Sequence, residues 1–490
     1  MTRSTATTRP EDERLPIGSA FAYGFQHVLT MYGGIIAPPL IVGSAAGLSA
    51  TDIALLITSC LFIGGLATVL QTVGVKFFGS QLPLVQGTSF ASVATMLAIV
   101  GGGGGIQAVF GAVMAASLIG LVIAPFFAKI IHFFPPVVTG VVITSIGLSL
   151  TPVAANWALG GNAKAPTYGS VENIGLAGLT LLTVMVLSKL GNAVVSRLSI
   201  LLSMVIATAV AAAVGMADFS KVGEGPIAAV PQPFAFGPPT FEAAAIVSMV
   251  IVVLVILTET TADIIAVGEI AGTKVDSKRI ADGLRADMLS SAVAPVFNSF
   301  TQSAFAQNVG LVAVTGIRSR FAVAAGGVVL LVLGLLPVLG RVVAAVPAPV
   351  LGGAGIVLFG TVAASGIRTL ARVEYRDTMN LVIVATSIAF GMIPVINKDF
   401  YHAFPTWFQV IFDSGISSAA IMAILLNLVF NVFRRGTPHD PSVFAAAPTR
   451  VIPLHVLECL EDGDRCEEGR ILDRDGKEIR VEAGNGAPGH

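Results

Sequence analysis

The chain has 490 residues, 54% of them hydrophobic and only 12% charged, against roughly 25% charged in soluble domains. With a mean hydropathy of +0.85, this excludes an ordinary soluble multidomain protein. The formal net charge of −1 points to no particular partner, and no nucleic acid is expected.

Apolar blocks at 49–73, 106–128, 242–258 and 321–340 are each about as long as the 20 residues a helix needs to cross a bilayer. The chain therefore reads as an all-α polytopic membrane protein. Apolar runs set against charged punctuation give about fourteen segments. The first seven lie near 17–42, 52–74, 84–99, 106–128, 135–153, 173–190 and 198–215. The second seven lie near 242–268, 282–300, 304–316, 320–340, 345–365, 378–396 and 416–433. The third and tenth are too short to cross alone and are expected as half-helices that begin after short extended strands. The ninth carries Arg285 and Asp287 near its start.

Residues 1–16 form a polar amino-terminal tail without the apolar core of a cleaved signal peptide. Basic residues cluster at Arg3, Arg9 and Arg14, then at Lys76, Lys129, Arg197, Lys274/Lys278/Arg279, Arg318/Arg320, Arg368/Arg372/Arg376 and Arg434/Arg435. Placing both termini in the cytoplasm puts nearly all of them inside, as the positive-inside rule asks, with Arg341 the one violator. The Pro-rich stretch 216–241 is expected as an extracytoplasmic loop. Residues 434–490 turn polar and form a cytoplasmic tail, in which Arg470-Ile471-Leu472-Asp473 reads as a strand. Of three cysteines, Cys60 falls within a segment, while Cys459 and Cys466 lie in the tail near His455. No disulfide framework is implied, and no metal or cofactor is expected.

The two halves, 17–215 and 242–433, resemble each other. Ala124-Pro125-Phe126 leads to Phe134-Pro135-Pro136, and Leu336-Pro337-Val338 leads to Val346-Pro347-Ala348-Pro349. Each half also holds a short segment with Gln beside Phe-Ala: Gln86-Gly87-Thr88-Ser89-Phe90-Ala91 and Phe305-Ala306-Gln307-Asn308. Seven segments per half invert the second copy. An inverted repeat with paired, interrupted segments marks the binding site of a secondary transporter.

Glu259 and Asp263 are four apart, so they share a helical face within an apolar stretch. A carboxylate inside a bilayer must be paired, hydrated or protonated, so both are candidates for ligand binding or proton coupling. The plain alternative is a structural pair satisfied by His27 or by backbone. Gln307 and Asn308 stand where a short helix begins, and a helix start offers free N–H groups and partial positive charge. A carboxamide presents a donor beside an acceptor, which fits a ring N–H next to a C=O. Glu259, acceptor-only when ionised, suits further ring N–H groups. The constellation describes a flat, hydrogen-bonding heterocycle, with helix capping as the other role open to Asn308. Phe90 is a stacking or a packing ring. His27 either titrates or bonds a neighbouring helix, and Asp287 has its partner elsewhere in the core, since Arg285 lies on another face. No G-x-x-x-x-G-K-[ST] loop is present, so ATP drive is not expected.

At these residues the chain resembles the nucleobase–ascorbate transporter family, the nucleobase–cation symporters, over about residues 17–433. The family's Gln/Glu/Pro-Asn-x-Gly-x4-Thr-Arg/Lys/Gly motif is matched by Gln307, Asn308, Gly310, Thr315 and Gly316. Gln26-His27, Ser89-Phe90, Glu259 with Asp263, and Asp287 match further family positions. The resemblance implies fourteen segments in a 7+7 inverted repeat. It also implies a core domain (segments 1–4 and 8–11), a gate domain (5–7 and 12–14) that forms a homodimer, and elevator-like transport with protons or another cation. Carried over, Glu259 and Gln307 bond the base, Phe90 stacks, and backbone at Ala306 and Asn308 assists. Asp263, Asp287 and His27 form the coupling and polar network. Gln at the first motif position and Asp at 263 resemble carriers of xanthine or uric acid, where uracil carriers have Glu and typically His. Gln302-Ser303, where many relatives have Thr, leaves xanthine versus urate open. A uracil permease, and from another class an anion exchanger or channel of similar repeat fold, remain the rivals. No catalytic cluster suggests an enzyme.

Overall fold

The structure is a computed structural model. It describes residues 9–127, 135–192, 195–196, 198–375 and 379–432, with strand residues Arg465–Glu467, Arg470–Leu472 and Glu478–Ile479. Arg3, Lys129, Arg197, Arg376, Arg434, Arg435, His455, Cys459 and Asp473 lie outside the described residues. Two units are distinct, 1–374 with 379–437 and 375–378 with 438–490.

The large unit is a mostly helical, polytopic membrane protein. Its first half runs α1 (Ile17–Ala45), α2 (Ala50–Val73), β1 (Gln86–Thr88), α3 (Val93–Gly101), α4 (Gly105–Ile123), α5 (Pro136–Ala158), α6 (Val171–Leu190) and α7 (Ser199–Ala213). The second half opens with α8 (Ala243–Ala271), α9 (Ser277–Val293), β2 (Gln302–Ala304), α10 (Ala306–Thr315), α11 (Arg320–Gly334) and α12 (Pro337–Ala344). It closes with α13 (Ala348–Leu370), α14 (Asn380–Ile396), α15 (Thr406–Phe412) and α16 (Gly415–Asn427). In the small unit, β3 (Arg465–Glu467), β4 (Arg470–Leu472) and β5 (Glu478–Ile479) make an antiparallel sheet with Cys466 opposite Ile471.

Each of the fourteen expected segments contains a helix. Among the described residues, seven helices are long and apolar enough to cross a membrane, or nine if two bent pairs each count once. The bends, of 79° and 81°, join α11 to α12 and α15 to α16. The eleventh segment, read as one span, breaks where Pro337 removes a donor from the ladder. That break sets Arg341 beside the 216–241 loop, where Nε donates to the Val222 carbonyl at 2.9 Å and Nη2 to that of Pro226 at 3.1 Å. Helix α15 lies in a stretch read as loop.

The ninth segment also starts earlier than expected. Asp276 caps α9 by accepting from the Arg279 N–H at 2.7 Å. This leaves Asp287 in the helix middle rather than near its start. Close packing depends on small residues, as between membrane helices generally. A Cβ on Gly147 would stand 2.4 Å from the Ala363 nitrogen, and one on Gly366 2.3 Å from that of Thr144, so α5 and α13 touch backbone to backbone.

The two short strands pair antiparallel, Gln86 opposite Ala304 and Thr88 opposite Gln302. Ser89 N–H donates to the Thr301 carbonyl at 2.9 Å, and Phe305 N–H to that of Val85 at 3.1 Å. Extended backbone at membrane depth is tolerated because each strand satisfies the other.

Residues 9–14 are pinned to the same end of the bundle. Glu11 is fully buried, and Arg279 Nη2 donates to it at 2.5 Å while Nε donates to the Ser80 carbonyl at 2.6 Å. Arg320 Nε donates to Asp12 at 2.6 Å, and its Nη1 to the carbonyls of Thr72 and Val73 at 2.9 and 2.8 Å. One short segment thus ties together the loops that follow α2, α8 and α10.

Candidate functional site

Helix α8 turns two unlike faces to its neighbours. Glu259, Ala262, Asp263, Ala266 and Ile270 recur at spacings of three and four and line a cavity of about 540 Å³. Thr260 points the other way, and its hydroxyl donates to Asp287 Oδ2 at 2.6 Å. The same hydroxyl accepts from the Ala304 N–H at 3.4 Å, which ties β2 to this pair. Asp287 is buried behind the strands and does not line the cavity.

The strand pair supplies the opposite wall. Because β1 and β2 run antiparallel, Ser89-Phe90 leaves one end of the pair and Phe305-Ala306-Gln307 the other, and all five residues line the cavity. Phe90 packs edge-on to Phe359, ring centroids 6.0 Å apart at 75°, and so is held with its ring at the cavity. Helix α10 starts at Ala306, so the N–H groups of Ala306 and Gln307 have no partner within the helix. Glu259, Gln307 and Phe90 therefore meet at one cavity, with Asp263 on the same wall as Glu259.

Asn308 corrects an expectation. Its side chain does not line the cavity. It is fully buried, and Nδ2 approaches both Nδ1 and the carbonyl oxygen of His27 at 3.0 Å. Its backbone N–H is engaged too, donating to the Phe305 carbonyl at 2.9 Å. The reason is helical phase, since residues adjacent in a helix point about 100° apart. With Gln307 turned to the cavity, Asn308 must face α1. An Nδ2 donor makes His27 Nδ1 the acceptor and leaves the ring proton on Nε2. His27 and Asn308 together fix α10 against α1, and neither reaches the cavity.

Asn308→Ala removes both contacts and leaves the buried His27 ring nitrogen bare, which costs about 2 kcal/mol. The expected result is a melting temperature in detergent several degrees lower, with weaker substrate affinity because α10 is loosened. An unchanged melting temperature would show that the His27 contact contributes nothing.

Thr361, Ser365, Arg368, Thr369 and Arg372 of α13 and the turn after it also line the cavity. Sequence reasoning missed this wall. The polar positions 361, 365, 368 and 372 at spacings of four, three and four were its trace in the sequence. No group of three or more His, Cys, Asp or Glu side chains that could hold a metal occurs among the described residues.

Comparison with known proteins places the chain in a family. A family model described as "Permease family", that of the xanthine and uric acid permeases, matches residues 18–399. The chain belongs to this family. Like its relatives the permease is a transporter and not an enzyme. It is 38% identical over 437 residues to the uric acid transporter UacT of Escherichia coli K12, covering 88% of this chain and 90% of that one. It is 37% identical over 419 residues to the xanthine permease of Bacillus subtilis 168, covering 86% and 95%. The uric acid permease PucJ of the same Bacillus is 38% identical over 416 residues, covering 84% and 92%. Among solved structures, the permease shares its fold with the transmembrane domain of the cyanobacterial bicarbonate transporter BicA (TM-score 0.56, 15% identity, 84% and 99% covered). Murine Slc26a9, an anion transporter, is similar (TM-score 0.58, 14% identity, 85% and 69% covered).

Proposed function

We propose that the permease imports an oxidised purine, xanthine or uric acid, across the cell membrane together with protons. The observation that carries this reading is the convergence of Glu259, Gln307 and Phe90 on one cavity. Glu259 accepts ring N–H groups, Gln307 pairs with an N–H/C=O edge, and the Phe90 ring stacks on the base. The Ala306 N–H assists, whereas that of Asn308 is already bonded within the chain. Asp263, beside Glu259, accepts the proton, with Asp287 holding the α8 hydroxyl face behind it.

The uric acid and xanthine permeases among its relatives support the purine class. We take the fold as fourteen segments in two inverted halves, 17–215 and 242–433, joined by the 216–241 loop. Tails 1–16 and 434–490 lie in the cytoplasm. Core segments 1–4 and 8–11 then carry the base past gate segments 5–7 and 12–14, which pair in a homodimer, in an elevator motion. The likeness to anion transporters concerns the fold alone, and their substrate is not carried over.

A competitor panel tests the reading. In cells lacking their own carriers, excess xanthine or urate is expected to block uptake of labelled xanthine, and uracil to leave it nearly unchanged. Block by uracil alone would make the protein a uracil permease. Uptake insensitive to every base would overturn the reading.

A further inference from the structure

We infer that Arg368 and Arg372 form a second station in the cavity, an anion-receiving vestibule for the ionised form of the purine. The inference rests on the purine reading above. Both arginines line the same cavity as Glu259 and Gln307, both are exposed, and neither forms an ion pair among the described residues.

They stand at the end of a polar ladder. Thr361, Ser365 and Arg368 fall on one face of α13, and Arg372 continues the spacing in the turn that follows. The arginines thus stand at the end of this ladder away from Thr361, and the vestibule is placed there. The near end sets two carboxyl groups, Glu259 and Asp263, before an arriving anion. Urate is a monoanion at neutral pH, whereas xanthine is neutral in mildly acid solution. Two unpaired guanidiniums along the route give an anion a place to pause. A planar guanidinium also stacks on a flat ring and bonds two oxygens at once. Arginines serving only to flank a membrane helix would face lipid or the headgroups rather than a cavity shared with the base site.

Equilibrium binding of radiolabelled urate and xanthine to the purified full chain, at mildly acid pH and low salt, tests the vestibule. Binding is indifferent to which side of the membrane the cavity opens. The double variant Arg368→Gln/Arg372→Gln is expected to raise the Kd for urate roughly tenfold. Its Kd for xanthine should change less than twofold, which also reports that the variant is folded. High salt should narrow the urate difference, and Arg368→Lys/Arg372→Lys should recover most of it. Equal losses for both purines, or no loss for either, would overturn the vestibule alone. A wild-type protein that binds xanthine but not urate would overturn it as well. A wild-type protein that binds no purine overturns the purine reading itself, and the vestibule with it.

Discussion

Glu259→Gln is expected to lower purine uptake by about 100-fold or more while the protein still reaches the membrane. The substitution keeps the size of the side chain but replaces an acceptor-only carboxylate by a group that also donates. With its NH2 turned toward a ring N–H, the new amide leaves two donors facing each other. Sites built to bond a particular polar group discriminate strongly, because the mismatch leaves buried groups unpaired. Uptake of labelled xanthine, normalised to membrane abundance, measures the effect. Asp263→Asn tests a separate role, since Asp263 lines the same wall one turn away. A Glu259→Gln protein that retained wild-type uptake would remove the carboxylate from the binding site.

Asp287→Ala is expected to act on the fold first. Asp287 accepts the Thr260 hydroxyl at 2.6 Å, and that hydroxyl in turn accepts from the backbone of β2. Removing the carboxylate leaves a buried donor without a partner and opens a void, together about 3 kcal/mol. The melting temperature in detergent should fall by several degrees, and uptake should fall with it because β2 positions Gln307. Asp287→Asn keeps an acceptor for Thr260 and should recover most of the melting temperature. If the alanine variant melts like wild type, Asp287 does not brace the strands.

Much of this site was legible in the sequence, for a physical reason. Polar groups in a membrane-spanning stretch are costly, so Glu259, Asp263, Gln307 and Asn308 stood out against their neighbours. The two short segments were visible for the same reason, because breaks in an apolar run mark chain ends that must be satisfied elsewhere. What stayed hidden depends on phase and on distant partners. Whether Gln307 or Asn308 faces the ligand turns on the residue at which α10 begins, and a shift of one position exchanges them. The Thr260–Asp287 bond joins residues 27 apart on different helices, and nothing local announces it. The α13 wall was disguised because Thr and Ser in membrane helices commonly bond their own backbone, as Thr361 does to the Val357 carbonyl. Arg368 and Arg372 were read as flanking charges, which left their contact with the cavity unseen. The break before Pro337 was masked by an apolar run that continues through it.

The buried Glu11–Arg279 pair joins positions 268 apart. The contact therefore cannot form until Arg279 and all the helices between the two residues have been made. The docking of Glu11 joins the stretch after α2 to the start of α9, so neither can shift without breaking a buried ion pair.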